Sequence, residues 1–184
     1  MIGNDIIDVH LAEKESDWQR PGFLEKQFTV KEQNTILQSE NPFEMMLIHW
    51  SLKESAYKIW VQQNQKRMFA PLQFECELHS ETDGLVNWKN RKYYTSSIIE
   101  GYYIFTQATL EKETETFSWI GSPSEIEERL KQRIEEKIGI PASDIEKRKS
   151  DLGVPNYYSQ NKQITTSCSI SHHGNYGAFS ILHL

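Results

Sequence analysis

Apolar and polar residues follow two different periods along this chain, and the changes of period mark its elements. From Asn41 to Val61 (NPFEMMLIHWSLKESAYKIWV) the apolar residues Phe43, Leu47, Trp50, Tyr57 and Val61 recur at helical spacing. Asn41 suits a cap, Pro42 the first helical position, and Glu44 a reciprocal capping partner, so a long helix is expected here. Thr29 and Glu32 form a second capping box ahead of Ile36 and Leu37. Ser122, Pro123 and Glu125 open a further helix. Its core positions Ile126, Leu130, Ile134 and Ile138 are four apart, and Gly139 and Pro141 end it.

Elsewhere the period shortens. Gly3 to Val9 reads as a short buried strand, and Met68 to His79 alternates Leu72, Phe74, Cys76 and Leu78 on one face. Asp83-Gly84 signals a turn. Tyr93 to Ile99 and Tyr102 to Leu110 form two strands joined at Glu100-Gly101. Asp144 to Lys149 is a short strand and Asp151 to Pro155 a turn. Thr166 to Ser171 and Gly177 to Leu184 close the chain around the polar stretch His172-His173-Gly174-Asn175-Tyr176. Antiparallel strands packed on long helices make this an α+β protein. One internal echo stands out: Thr95 to Leu110 and Ser167 to Leu184 are each a strand, a Gly-containing turn and an aromatic-containing strand. If the echo is a repeat, the 184 residues form one catalytic domain built of two halves, about 1–112 and 113–184, whose sheets pack together.

Composition narrows the function classes. A hydrophobic fraction of 38% and five Trp support a packed core. No apolar run reaches the roughly 18 residues a membrane helix needs, and the acidic start MIGNDIIDVH does not resemble a signal peptide. Two cysteines, Cys76 and Cys168, each within a strand, fit structural thiols in a reducing, cytoplasmic setting. A net charge of −6 argues against a nucleic-acid partner. It leaves small phosphorylated ligands open.

Candidate chemistry lies where charge interrupts apolar pattern. Glu54 falls on the apolar stripe of the 41–61 helix, between Trp50 and Tyr57, and Lys58 follows one turn later. The pair is either a surface i,i+4 ion pair or a site whose carboxylate meets a cation. Asp5 sits among Ile2, Ile6, Ile7 and Val9. Mg²⁺ is held by one or two such carboxylates together with phosphate oxygens. Asp8 is either a strand-end turn residue or a further acid of the same site. His172, taken alone, is as compatible with a structural role as with a functional one.

In combination these segments resemble the 4′-phosphopantetheinyl transferase superfamily. GNDIIDV resembles its N-terminal metal-binding motif. FTVKEQ followed by HWSLKESAYK resembles its F-x-x-x-E and W-x-x-K-E-x-x-x-K signature. DLGVP followed by SISHHGNYGAFS resembles its G-[KR]-P and S-[IL]-[ST]-H segments. The motif order is that of the small, trimeric acyl-carrier-protein synthases, whereas the length is closer to the pseudo-dimeric surfactin type, with the halves permuted. The resemblance implies the transferase fold, with two pseudo-repeated halves each carrying an antiparallel sheet on a long helix. It implies transfer of 4′-phosphopantetheine from coenzyme A, the co-substrate, to a serine of an acyl or peptidyl carrier protein, releasing adenosine 3′,5′-bisphosphate. Asp5 and Glu54, with Asp8 as a further candidate, would hold Mg²⁺. Asp5, Glu54 and Lys58 would be catalytic, and His172, Ser171, Lys58 and Lys53 would contact coenzyme A. The expected assembly is a monomer with an intramolecular site, a trimer being the alternative.

Two positions depart from the family patterns. Ile7 stands where the surfactin type has a second acid, and Val154 replaces the basic residue of G-[KR]-P. The phosphate contact made there in the family is then either absent or supplied from elsewhere, with Lys147, Arg148 and Lys149 as the candidates. Lys66-Arg67 and Lys89 to Lys92 are the basic patches available to an acidic carrier. Two rival readings follow from the departures: a non-catalytic module that binds coenzyme A or a carrier, and a Mg²⁺-dependent hydrolase that cleaves a pyrophosphate. Metal-independent coenzyme A binding would mark the first, and carrier-independent release of phosphate or phosphopantetheine the second.

Overall fold

The protein is described by a computed structural model covering residues 1–68, 70–165 and 167–182. The first strand, β1 (Ile2–Asp8), is followed by three short helices and one long one: α1 (Val9–Glu15), α2 (Phe23–Gln27), α3 (Val30–Gln38) and α4 (Pro42–Asn64). A single turn at Pro71–Gln73 then leads into β2 (Glu75–Leu78), β3 (Asp83–Trp88), β4 (Arg91–Ile99) and β5 (Tyr103–Thr109). These strands and β1 form an antiparallel sheet of order β1-β5-β4-β3-β2, so the chain's first strand pairs with its fifth.

Helix α4 lies across β1 and β5. Small side chains permit the approach: Ser55 Oγ donates to Thr106 O, and a Cβ at Gly3 would collide with the Ser55 carbonyl oxygen. The odd-numbered residues of β1 therefore face α4 and the even-numbered ones face away. Asn41 caps α4 as expected, accepting from Glu44 N, and Thr29 and Glu32 form the expected capping box on α3. The expected stripe of α4 differs from the observed core. Leu52, Ala56, Ile59 and Trp60 are its deepest apolar residues, whereas Phe43, Trp50 and Tyr57 are only half-buried. The sheet covers one side of α4, and α2, α3 and the Pro71–Gln73 turn cover much of the other. A helix enclosed this way carries no single dominant apolar face.

The second half repeats an order of elements. Strand β6 (Thr116–Gly121) precedes α5 (Ile126–Ile138), β7 (Glu146–Lys149), β8 (Pro155–Ser159), β9 (Lys162–Gln163), and the hairpin β10 (Cys168–His173) and β11 (Tyr176–Leu182). The sheet order β10-β11-β6 matches β4-β5-β1: in each, a strand, a helix and a hairpin follow in sequence, and the hairpin's second strand lies in the middle. Strands β7, β8 and β9 form a separate small sheet.

Several local expectations shift. Pro123–Glu125 is a 3₁₀ turn, so α5 starts at Ile126, and Ser122 bonds Ser124 instead of capping. Ile126, Leu130 and Ile134 are core, but Ile138 in the last turn is 37% exposed. The 68–79 strand is ordered as β2 only from Glu75, because Pro71 turns the chain and leaves Leu72 44% exposed. Asp83-Gly84 belongs to β3, the turn lying just before it. The expected elements at Thr166 and at His183-Leu184 extend outside the described residues.

The two halves meet along the outer edge of β1. Ile2 N donates to Ser167 Oγ, Asn4 N to Ser169 Oγ and Asp8 N to His173 Nδ1, at 2.9–3.0 Å, in each case across 165 residues of sequence. Side chains of β10 and the residue before it thus accept from N–H groups that β5 does not reach. From the other side Gln62 donates to Ile2 O and Lys58 to Asn4 O.

Candidate active site

Asp5 faces α4 from the middle of β1, and Glu54 and Lys58 face it from consecutive turns of the helix. Lys58 Nζ donates to Asn4 O at 2.6 Å and lies 3.6 Å from Asp5 Oδ1, with 30% and 16% of the two side chains exposed. Burial pushes the Glu54 carboxyl up to about 7; the Asp5 charge adds to the rise and Lys58 opposes it. Burial likewise raises Asp5, with Lys58 the main opposing influence. Two carboxylates sharing one partly exposed ammonium carry more negative charge than the surroundings compensate. That donor set suits a hard divalent cation. Among the described residues no group of three or more His, Cys, Asp and Glu side chains is placed to hold a metal. The acid pair would supply two ligands to such an ion, and water and substrate oxygens would complete a shell.

Two cavities meet at Trp50. One, of about 400 Å³, is lined by Asp5, Ile7, Arg20, His172 and His173 among others. The second, of about 420 Å³, is lined by Glu54, Lys53, Tyr57, Arg67 and Phe74 among others. The β10–β11 hairpin from the second half therefore completes a site whose acids come from the first.

The other expected site residues are placed as follows. His172 is exposed on the Asp5 cavity. Strand alternation turns Ser171 the opposite way, where its Oγ is buried without a hydrogen-bond partner. His173 Nδ1 accepts from Asp8 N, and Nε2 lies 3.4 Å from Glu15. Asp8 is on the opposite face of β1 from Asp5. Its Oδ1 accepts from Leu11 N, capping α1, and its Oδ2 accepts from Asn175 N and Nδ2. Burial works to raise the Asp8 carboxyl, but the Asn175 and Leu11 bonds and the nearby His173 hold it below the usual range. Lys53 is buried: Nζ donates to Glu32 Oε2 at 2.8 Å and to Pro71 O at 3.0 Å. Ile7 shares the Asp5 face of the strand and is buried in the core.

Val154 packs against the main core, and Ser150 closes its turn by accepting from Val154 N. Of the three candidate cations, Lys147 pairs with Glu127 and Arg148 with Glu146, both at 2.7 Å. The cation at this turn is Arg67, which donates to Leu152 O at 2.8 Å and also lines the Glu54 cavity. Sequence reasoning missed that role, since Lys66-Arg67 carries no signal beyond its charge. Both cysteines are free and buried, with thiols raised by burial, Cys168 to about 12.

Comparison with known proteins adds the family. No curated protein sequence matches the chain. Among solved structures, holo-acyl-carrier-protein synthase of Helicobacter pylori in complex with coenzyme A superposes with a TM-score of 0.49 at 16% identity, covering 60% of this chain and 100% of that one. Holo-acyl-carrier-protein synthase of Thermotoga maritima gives 0.46 at 16% identity, covering 86% and 82%. The family model of the 4′-phosphopantetheinyl transferase superfamily matches residues 1–110 of 184. That span contains β1, α4 and the whole acid pair, and the chain belongs to this superfamily.

Proposed function

We propose that this protein transfers 4′-phosphopantetheine from coenzyme A to a serine hydroxyl of an apo carrier protein, releasing adenosine 3′,5′-bisphosphate. The observation that carries the reading is the convergence of Asp5, Glu54 and Lys58 between β1 and α4 in a member of this superfamily. In the transfer the serine oxygen bonds to the phosphorus bearing the pantetheine arm, and the bond to the bridging pyrophosphate oxygen breaks. Mg²⁺, held by Asp5 and Glu54, would neutralise charge on the phosphate oxygens. Glu54, directly or through water, would also take up the serine proton. Lys58 offsets charge developing on the leaving phosphate. His172, and with it the Ser171 segment, borders the nucleotide side of the site. Arg67 contributes positive charge on the Glu54 cavity and takes the place of the cation absent at Val154, while the Lys53 charge is met by Glu32.

The matching order of β1, α4, β4, β5 and β6, α5, β10, β11 supports a single catalytic domain of two halves, about 1–112 and 113–184. With His172 and Asp5 on one cavity of one chain, the site is intramolecular and the active species a monomer. Light scattering checks this; an obligate trimer contradicts it. Among the described residues no helix is long and apolar enough to cross a membrane. A cytoplasmic carrier of fatty-acid, polyketide or peptide synthesis is the substrate this reading requires.

Intact-mass spectrometry of an apo carrier incubated with the protein, coenzyme A and Mg²⁺ tests the reading. It expects a gain of one phosphopantetheine, abolished by EDTA. No gain on acyl and peptidyl carriers alike would contradict it.

A further inference from the structure

We infer that Asp8 is a positioning residue: its carboxylate clasps the hairpin bearing His172 to the strand bearing Asp5, and it does not hold the metal. The inference rests on the functional reading above for its consequence, but on geometry for its substance.

Two elements, α1 and the β10–β11 hairpin, converge on this one carboxylate at the end of β1. Oδ1 caps α1 through Leu11 N at 3.0 Å. Oδ2 accepts from Asn175 N at 3.1 Å and from Asn175 Nδ2 at 3.3 Å. The Asp8 backbone N–H donates to His173 Nδ1 at 3.0 Å, so the residue grips the hairpin on both sides of Gly174. Gly174 has φ +55, and a Cβ there would collide with Asp8 Oδ2, so the turn is built to let the carboxylate close on it. Strand alternation places Asp8 on the face of β1 opposite Asp5, and no third acid joins the pair among the described residues.

The clasp bears on His172 because of where the other ties lie. Along β10 the seam is held at Ser167, Ser169 and His173, but Ser171 Oγ has no partner. With the carboxylate ties removed, the seam beside His172 keeps, among the described residues, only the Asp8 N–H bond to His173 and the tie at Ser169, and the turn beyond Gly174 is released. The Asp8 carboxylate therefore helps to fix His172 over the cavity it shares with Asp5.

Two variants separate clasp from ligand. Asp8→Asn keeps an oxygen for Leu11 N but turns an NH₂ toward the Asn175 donors. Asp8→Ser still caps α1 and is too short to reach Asn175, so the fold is retained. Hydrogen exchange of amides 172–175 is read alongside steady-state kinetics in coenzyme A and in Mg²⁺. Both variants are expected to lose about 10-fold in protection and to raise KM for coenzyme A about 10-fold, as loss of charge-assisted bonds implies. The half-saturating Mg²⁺ concentration stays within about twofold of wild type, since no ligand is lost. Unchanged exchange in both variants overturns the clasp. A Mg²⁺ requirement raised about 10-fold or more, with KM for coenzyme A unchanged, makes Asp8 a ligand instead. If the unaltered protein transfers no phosphopantetheine, the functional reading falls while the exchange result still decides the clasp.

Discussion

Helix α4 carries two lysine–carboxylate pairs little more than a turn apart, and they have opposite characters. Lys53 and Glu32 meet at 2.8 Å with side chains 5% and 1% exposed. Glu32 is saturated: besides Lys53 it accepts from Thr29 N and from Cys76 N, both at 2.7 Å, while Lys53 also holds Pro71 O. Lys58 and Asp5 sit 3.6 Å apart and partly exposed, Asp5 on a cavity, and Glu54 adds a second acid. A buried pair with every partner supplied locks α3, α4 and β2 together. A loose pair with excess negative charge leaves work for a ligand. Both lysines come from one motif, yet surroundings alone assign one to architecture and one to chemistry.

The contrast can be broken from either end. Glu54→Ala is expected to lower transfer by about 10³-fold or more while the protein stays folded, as removal of a metal-binding acid implies; mass spectrometry and circular dichroism check both halves of the statement. Glu32→Ala should instead strand the buried Lys53 charge and cost about 3–5 kcal/mol in chemical denaturation. Glu32→Leu combined with Lys53→Met should recover only the part due to the stranded charge, because Thr29 N and Cys76 N still lose their acceptor. Swapped outcomes, with Glu32→Ala stable and Glu54→Ala unfolded, would invert the assignment.

Acid titration sharpens the comparison further. The Glu54 carboxyl is raised from an ordinary value of 4.5 to about 7, and a divalent ion binds only its ionised form. The half-saturating Mg²⁺ concentration should therefore climb as pH falls below about 7, by up to about 10-fold per pH unit. The same shift affects metal-free stability. The unfolded chain releases this proton near 4.5 and the folded chain near 7, so folding is penalised increasingly across that interval and fully above it. Glu54→Gln should then raise the metal-free melting temperature by about 2–4 °C at pH 8, with the gain fading toward pH 5. Arg67→Ala is the mildest change, expected to raise KM for coenzyme A about 3-fold, since its guanidinium is exposed.

Much of this was legible locally. The caps of α3 and α4 depend on residues three apart, and β1 and the β4–β5 and β10–β11 hairpins announce themselves by alternation. Glu54 and Asp5 were visible because a charge inside an apolar run needs a reason. What escaped depends on contacts distant in sequence. Glu32 reads as a capping residue, and only packing reveals that it is also the counterion of Lys53. The seam joins β1 to side chains 165 residues away through serines that carry no pattern of their own. Asp8 looked like either a turn residue or a metal acid because its partners Asn175 and Gly174 lie at the far end of the chain. Strands β3, β6, β8 and β9 are not predicted: Asp83-Gly84 imitates a turn at the start of β3, and β6 is only half-buried along its length. The true core face of α4 was hidden because a helix enclosed on most sides offers several apolar stripes.

The central claim is that Asp5 and Glu54 are placed to hold a divalent cation, and calorimetric titration of the metal-free protein with Mn²⁺ tests it most directly. The account predicts one site in the unaltered protein, weakened at least about 10-fold in Asp5→Asn and in Glu54→Gln and unchanged in Asp8→Ser. Full-strength binding in both acid variants would contradict it, and would leave the open pair on α4 without the ligand its charge calls for.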